Sequence, residues 1–276
     1  MAIYTMENDE VIVSISEHAS EIVSFKDKKT GTEHMWQGDA TYWAGRNPTL
    51  FPIVGSTWDK EIHLNGNTYH MGNHGFTRNS DFTCIKHDAT NIVMELKDNE
   101  ETLKQYPFEF TLDVHYELQG SKLVITYDIT NHSDKDMPFN FGLHPAFACP
   151  MEDDEKQDDY KLVFSNKEVY PEEITSTDGY TMELDRELLE KTIILHNPKS
   201  SYVTLTNGKH GVKVDVVGYE WLAFWSAKNN APFVCIEPWH SHTDFEKVEV
   251  PFDKREGTMI LAKNRTFTTS YAVTIF

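Results

Sequence analysis

Hydrophobic and polar residues alternate along much of the chain. In residues 123–130, Leu123, Ile125, Tyr127 and Ile129 fall on one side of an extended backbone, and mostly polar residues fall on the other. The same two-residue period recurs in the segments 91–96, 112–118, 212–216 and 271–275. Such alternation is typical of β-strands that pack one face on a hydrophobic core.

Turn-forming residues separate these strands, and helical periodicity is scarce. Turns are predicted at residues 65–67, 119–121 and 207–209, each centred on a glycine. Residues 182–191 are predicted to form a helix, with Leu184, Leu188 and Leu189 facing inward. Many strands with very little helix favour an all-β fold, an antiparallel sandwich or barrel. Because no Pro- or Gly-rich linker interrupts the pattern, we expect one domain over residues 1–276.

The size and charge of the chain narrow its class. With 276 residues, it is long enough to bury a core without disulfides or a structural metal. It carries 25 basic and 44 acidic residues, a net charge of −19. Because such a surface repels phosphate backbones and anionic lipid, we expect neither nucleic acid nor a membrane as a partner. The acidic run at residues 152–159 is expected to be a solvated loop.

The cysteines and the start of the chain bear on its location. Cys84, Cys149 and Cys235 are widely separated and form no CxxC pair, which fits a reducing compartment. The first residues do not resemble a signal peptide, and no segment approaches the ~18 apolar residues of a membrane span. We therefore expect a soluble cytoplasmic protein. The sequence does not determine the oligomeric state, and a homo-oligomer is one of the alternatives.

Four segments break the alternation and bring polar residues into apolar surroundings. Each places a titratable or cationic residue near glycine or proline, and the segments are 45–55, 73–78, 140–147 and 234–240. Glu237 is the most informative residue, because its neighbours are apolar or aromatic. It could be a strand-end carboxylate bonded to backbone N–H groups or to an arginine. Alternatively, it could be a general base whose basicity is raised in a partly dry pocket.

Histidines and arginines in the other segments leave similar alternatives. His144 could be a satisfied core residue, or it could exchange a proton near neutral pH. His74 and Arg78 are expected on a loop or strand end, because glycine and turn residues surround them. Arg78 and Arg46 could each neutralise a buried acid or donate hydrogen bonds to a polar ligand.

Other chemistries have weaker sequence support. His240 and His242 could point the same way on a strand, but no HExxH or cysteine–histidine spacing accompanies them. The sequence also lacks a GxSxG elbow, a GxGxxG fingerprint and a Walker-type phosphate loop. We therefore expect no metal and no cofactor.

The four polar segments together resemble the aldose 1-epimerase (galactose mutarotase-like) family, and its shorter bacterial members in particular. The matching motifs occur in the family's order, and they are Arg46 with the segment 50–55, the segment 74–78, the segment 144–147 and the segment 235–239. The resemblance implies a large antiparallel β-supersandwich with very little helix.

The resemblance also implies roles for individual residues. Glu237 matches the family's catalytic base and His144 its catalytic acid. His74 matches a second pocket histidine near the ring oxygen, Arg46 an arginine that binds sugar hydroxyls, and Arg78 is a candidate pocket cation. The family's substrate-binding aspartate has no evident counterpart in this sequence.

The implied activity is the interconversion of the α and β anomers of an aldose by acid–base ring opening, with a small-molecule sugar as partner. Trp225 and Trp239 could offer flat faces to the sugar, or they could simply pack in the core. Three alternatives remain. They are a sugar-binding or regulatory protein without turnover, a hexose 6-phosphate 1-epimerase, and a glycosidase, which needs a second carboxylate about 5–10 Å away.

Overall fold

Antiparallel strands dominate the computed structural model, which describes residues 1–174, 176 and 178–276. Strands take up 43% of the chain and helices 8%, which confirms the all-β prediction. In chain order the strands are β1 Ile3–Glu7, β2 Val11–Ser16, β3 Ile22–Asp27, β4 Thr49–Leu50, β5 Glu61–Leu64, β6 Asn67–His70, β7 Thr83–His87, β8 Asn91–Lys97, β9 Phe110–Gln119, β10 Lys122–Asn131, β11 Met137–Phe139, β12 Gly142–Leu143, β13 Ala146–Ala148, β14 Lys161–Phe164, β15 Thr181–Glu183, β16 Ile193–His196, β17 Tyr202–Thr206, β18 Gly211–Asp215, β19 Trp221–Trp225, β20 Phe233–Trp239, β21 Met259–Leu261 and β22 Thr266–Ile275.

The larger sheet has nine strands in the order β15-β14-β17-β18-β22-β10-β9-β8-β7. It contains all five strands that the alternation predicts, and the predicted turns at residues 119–121 and 207–209 connect neighbouring strands of it. Residues 65–67 turn between β5 and β6, which form a separate hairpin. In β10, Leu123, Ile125, Tyr127 and Ile129 are buried in the main core, as the pattern indicates.

A second sheet carries three of the four polar segments, 45–55, 140–147 and 234–240. Its strands follow the order β16-β19-β20-β12-β4, and β13 also pairs with β20. One face of β19 and β20 packs into the core that it shares with the nine-stranded sheet, through Leu222, Phe224, Val234 and Ile236. The other face carries the alternate residues Ala223, Trp225, Cys235, Glu237 and Trp239. Every residue of β20 is buried because both faces are covered, which explains its nearly continuous apolar sequence.

Two helices depart from the sequence prediction. The predicted helix at 182–191 begins only at Arg186, as α2 Arg186–Lys191, because residues 181–183 pair with β14 instead. The Asp185 side chain accepts a hydrogen bond from the Leu188 N–H and caps the helix. The helix α1 Glu100–Gln105 was not predicted, although Asn99 and Thr102 form a capping box there.

The remaining described segments complete the periphery. A three-stranded sheet has the order β1-β2-β3, and β11 pairs with β21.

The acidic run at 152–159 is only partly solvated, because the Glu155 side chain turns inward and bonds to Asn207 and His210 at 2.6 and 2.9 Å. None of the helices in the described part of the chain has the length and apolarity needed to cross a bilayer.

Candidate active site

A cavity of about 570 Å³ opens over the motif-bearing face of the second sheet. It brings together six of the seven predicted site residues, namely His74, Arg78, His144, Trp225, Glu237 and Trp239. Arg46 is the exception. The walls of the cavity also include Asn73, from the polar segment 73–78, and three residues outside the four polar segments, Trp43, Lys191 and Thr243.

Glu237 lies on the cavity floor, which β20 forms in part. It stands on β20 opposite Ala223 of β19, whose small side chain leaves room beside the carboxylate. The side chain is almost fully buried, and burial raises the pKa of Glu237 well above its usual value. Its carboxylate has no arginine or lysine within ion-pair distance among the residues that the structure describes. The arrangement therefore lacks the neutralising arginine that a structural role would favour.

His144 faces Glu237 across the floor. Its Nε2 lies 3.5 Å from Oε2 of Glu237, close enough for charge interaction but too long for a strong hydrogen bond. Burial lowers the pKa of His144 well below its usual value, and repulsion from His74 in its protonated form adds a smaller contribution. Burial therefore disfavours the charged form of both side chains, which shifts the pKa values of Glu237 and His144 toward each other.

The backbone before His144 depends on a glycine. Gly142 pairs with Trp239 of β20, and a Cβ at this position would lie 2.7 Å from Cδ1 of that indole. The close approach of β12 to β20 brings His144 to the cavity. Its ring is then enclosed by Trp43, at a centroid distance of 4.8 Å, and by Trp225, at 5.5 Å and nearly perpendicular.

His74 is held by its backbone and its ring together. Its own N–H donates to the carbonyl of Gly55 at 2.6 Å, and the N–H of Gly55 donates to Nδ1 of His74 at 3.0 Å. Burial, with a smaller contribution from the Arg78 charge, lowers the pKa of His74 to about 3. The ring is therefore neutral near pH 7.

Arg78 lies on a 3₁₀ turn, Thr77–Asn79, directly after the His74 loop. It is half-buried, and it forms no ion pair with any residue in the described ranges. Its side chain lines the main cavity and also an adjoining cavity of about 310 Å³. The cation is thus available to a ligand in either space.

Arg46 belongs to the adjoining cavity. Its Nη2 donates to the carbonyl of Gln37 at 2.7 Å, and its backbone N–H donates to the buried carboxylate of Glu21 at 2.7 Å. It does not line the cavity that holds Glu237. The contact between Arg46 and sugar hydroxyls stays a prediction, and it requires a ligand that reaches the adjoining cavity.

Comparison with known proteins agrees with the fold and the motifs. The family model described as aldose 1-epimerase matches residues 2–267. This chain belongs to the aldose 1-epimerase family. Protein LacX of Lactococcus lactis subsp. lactis, in its chromosomal and plasmid forms, is 33% identical and aligned over 98% of each chain.

Two solved structures of similar proteins support the same assignment. A galactose mutarotase related enzyme from Lactobacillus acidophilus is 31% identical and superposes with a TM-score of 0.92, covering 100% of this chain and 97% of that one. A galactose mutarotase-like protein from Lactobacillus casei is 29% identical, with a TM-score of 0.91 and complete coverage of both. The expected galactose mutarotase-like β-supersandwich is confirmed.

The site of this aldose 1-epimerase family member has a distinctive set of polar groups. Glu237 is the sole carboxylate among the described residues that line its cavity, which leaves a glycosidase without the second carboxylate that it needs. Asn73, Thr243 and Lys191 supply polar groups on the walls, and the cavity holds no aspartate in the part of the chain described. His240 and His242, the metal ligands considered from sequence, join no group of three metal-binding side chains there.

Proposed function

We propose that this protein is an aldose 1-epimerase that interconverts the α and β anomers of a free aldose. The observation that carries the proposal is the buried pair of Glu237 and His144, whose Oε2 and Nε2 atoms lie 3.5 Å apart on the floor of an open cavity. One carboxylate and one imidazole are sufficient for this reaction, because it needs one base and one acid.

The proposed reaction moves two protons and no other group. The Glu237 carboxylate removes the proton from the anomeric hydroxyl, while His144 gives a proton to the ring oxygen, and the bond between that oxygen and the anomeric carbon breaks. The open-chain aldehyde rotates about its first carbon–carbon bond. It then recloses on the other face of the carbonyl, with both proton transfers reversed.

The pKa directions support these roles. A carboxylate whose pKa is raised by burial is a stronger base once it is ionised. An imidazole whose pKa is lowered is a stronger acid once it is protonated. His74, neutral and fixed by Gly55, is proposed to donate a hydrogen bond to the sugar. Trp43, Trp225 and Trp239 are proposed to hold the apolar faces of the ring.

The substrate is proposed to be a neutral aldose such as glucose or galactose. The net charge of −19 works against long-range attraction of a phosphorylated sugar. A hexose 6-phosphate is the second candidate, because Arg78 forms no ion pair within 4.0 Å among the described residues and Lys191 lies on the same cavity. The expected cytoplasmic location, single domain and lack of a resident cofactor remain predictions.

Polarimetry on freshly dissolved α-anomers tests the proposal. The rate of approach to anomeric equilibrium is measured with and without protein, over a panel of aldoses and their 6-phosphates. A catalysed rate that is lost in Glu237→Gln supports the enzyme. Saturable sugar binding with no catalysed rate on any panel member would instead indicate a sugar-binding or regulatory protein.

A further inference from the structure

Cys235 places a thiol beside the proposed acid–base pair. It precedes Glu237 by two residues on β20, so both side chains leave the same face of the strand. The sulfur of Cys235, a ring nitrogen of His144 and a carboxylate oxygen of Glu237 all lie within 4.8 Å of one another, and all three residues are buried. The proposed anomer exchange makes no use of this sulfur.

The spacing of these atoms is close to that of a zinc coordination sphere. Tetrahedral zinc with bonds of about 2.0–2.3 Å to nitrogen, oxygen and sulfur holds its ligand atoms roughly 3.3–3.8 Å apart. Nε2 of His144 and Oε2 of Glu237 are already 3.5 Å apart. The sulfur of Cys235 lies within 4.8 Å of its partners' ligand atoms, so an ion bound to all three requires it to move inward by at most about 1.5 Å.

We propose that His144, Cys235 and Glu237 form a binding site for a thiophilic divalent cation of the zinc class. Binding releases the thiol proton, and any proton on Glu237, to solvent, and lone pairs on the sulfur and the carboxylate then bind the ion. A dication with one thiolate, one carboxylate and a neutral imidazole is electrically neutral overall, which limits the cost of burying it. Three protein ligands leave a fourth position for water in the cavity.

Occupation of this site blocks the cavity floor. The ion takes the carboxylate and the imidazole that the proposed function requires, so it inhibits anomer exchange. This inhibition rests on the proposed function, whereas binding of the ion does not. The role of the ion is inhibitory, and a chelator is therefore expected to leave activity intact.

A rival cluster provides an internal control. Asp59, Glu61 and His63 also bring three ligand atoms together, but they are only partly buried and contain no sulfur. His63 is already paired with Asp59 at 2.9 Å. A thiophilic ion should therefore prefer the cluster that contains Cys235.

Cadmium is the probe that separates the two clusters, because a cadmium–thiolate bond gives an ultraviolet charge-transfer band. The metal-free full chain is titrated with Cd²⁺ by absorbance and with Zn²⁺ by calorimetry. We expect one ion per chain and the charge-transfer band. Cys235→Ala should abolish the band and weaken zinc binding by at least about tenfold, since even indirect partners of a metal contribute that much.

Matched variants decide the outcome. Cys84→Ser removes a thiol outside the cluster, and His63→Ala disrupts the rival cluster, so both should retain the band and the zinc affinity of the unmodified protein. Glu237→Gln should keep the band but weaken zinc binding, which tests the site even if Cys235→Ala fails to fold. A band that persists in folded Cys235→Ala, or zinc binding that is lost in His63→Ala, would overturn the proposal. If the protein shows no anomer exchange, the proposed function fails while the cadmium band still decides the metal site.

Discussion

The N–H of Gly55 donates a hydrogen bond to Nδ1 of His74, over 3.0 Å. Because Nδ1 accepts this bond, the neutral ring carries its proton on Nε2, and this tautomer can donate a hydrogen bond but cannot accept one at Nε2. His144 has no such constraint, since its buried Nδ1 has no hydrogen-bond partner in the described structure. The two histidines are therefore suited to different tasks, binding for His74 and proton transfer for His144.

Glu237→Gln should preserve the fold and sugar binding while removing most anomerase activity. The amide keeps the shape of the side chain but lacks the basic lone pair of the carboxylate. Thermal unfolding and sugar titration serve as the controls, and polarimetry measures the rate. Unchanged turnover in a correctly folded variant would remove Glu237 from the mechanism.

His144→Asn should lower kcat by at least about 10²-fold, the lower end for loss of a general acid–base group. His74→Asn serves as the comparison, and it should raise KM more than it lowers kcat, because its proposed role is binding. Both variants are compared at equal concentrations of folded protein. If the loss in His144→Asn only tracks the loss of folded protein, His144 is a core residue.

The pH dependence of kcat/KM should show an acid limb with a midpoint above 4.5, the ordinary value for glutamate. Burial raises the pKa of Glu237, so the fraction ionised increases as the pH rises through that value, and the rate increases with it until His144, the proposed acid, loses its proton. The midpoint belongs to the coupled pair of Glu237 and His144. An acid limb at or below 4.5, measured on folded protein, would contradict the burial of an active carboxylate.

Arg78→Ala should distinguish the two candidate substrates. If the natural substrate is a neutral aldose, glucose turns over faster than glucose 6-phosphate, and the substitution changes this ratio little. The rates for both sugars are compared at two ionic strengths. A preference for the phosphate that weakens with salt and disappears in Arg78→Ala would assign Arg78 to the phosphate and overturn the choice of a neutral sugar.

His34→Leu should reduce the loss of stability in mild acid. His34 is buried with both ring nitrogens unpaired, and burial lowers its pKa to about 4. In the unfolded chain the His34 ring takes up a proton near pH 6.5, whereas in the folded chain it does so only near pH 4. The free energy of unfolding therefore falls as the pH is lowered across that range, by about 3 kcal/mol at most. Denaturant unfolding at several pH values measures the slope. The same change at exposed His70 is the control, and an equal slope in unmodified protein and His34→Leu would contradict the prediction.

The strands and the candidate residues on the floor of the site could be predicted from local sequence, because each depends on the order of apolar and polar residues within a short segment. Alternation identified β10, and the apolar neighbours of Glu237 marked a carboxylate on a strand that is covered on both sides. The walls were missed for a different reason. Trp43, Lys191 and Thr243 come from distant parts of the chain that only the folded sheets bring together. Their positions depend on packing between distant segments, which the hydrophobic periodicity of a single segment does not predict.

Arg46 illustrates the opposite limit, in which a motif correctly marks a segment but leaves the direction of a side chain open. Its backbone lies against the site, since its carbonyl accepts a hydrogen bond from the N–H of Ala146 at 2.8 Å. Its guanidinium instead packs against the backbone of Gly38. A Cβ added at Gly38 would lie 2.7 Å from Cζ of Arg46. The absence of a side chain at Gly38, eight residues earlier, makes that path available.

The position of β22 has a consequence for how the protein is made. This strand, Thr266–Ile275, inserts between β18 and β10 in the interior of the nine-stranded sheet, although it follows both in the chain. On the ribosome, the emerging polypeptide must carry two unpaired strand edges until residues 266–275 have been translated and released. Such edges are templates for intermolecular pairing. Nascent chains stalled before Thr266 are therefore the species most in need of a chaperone.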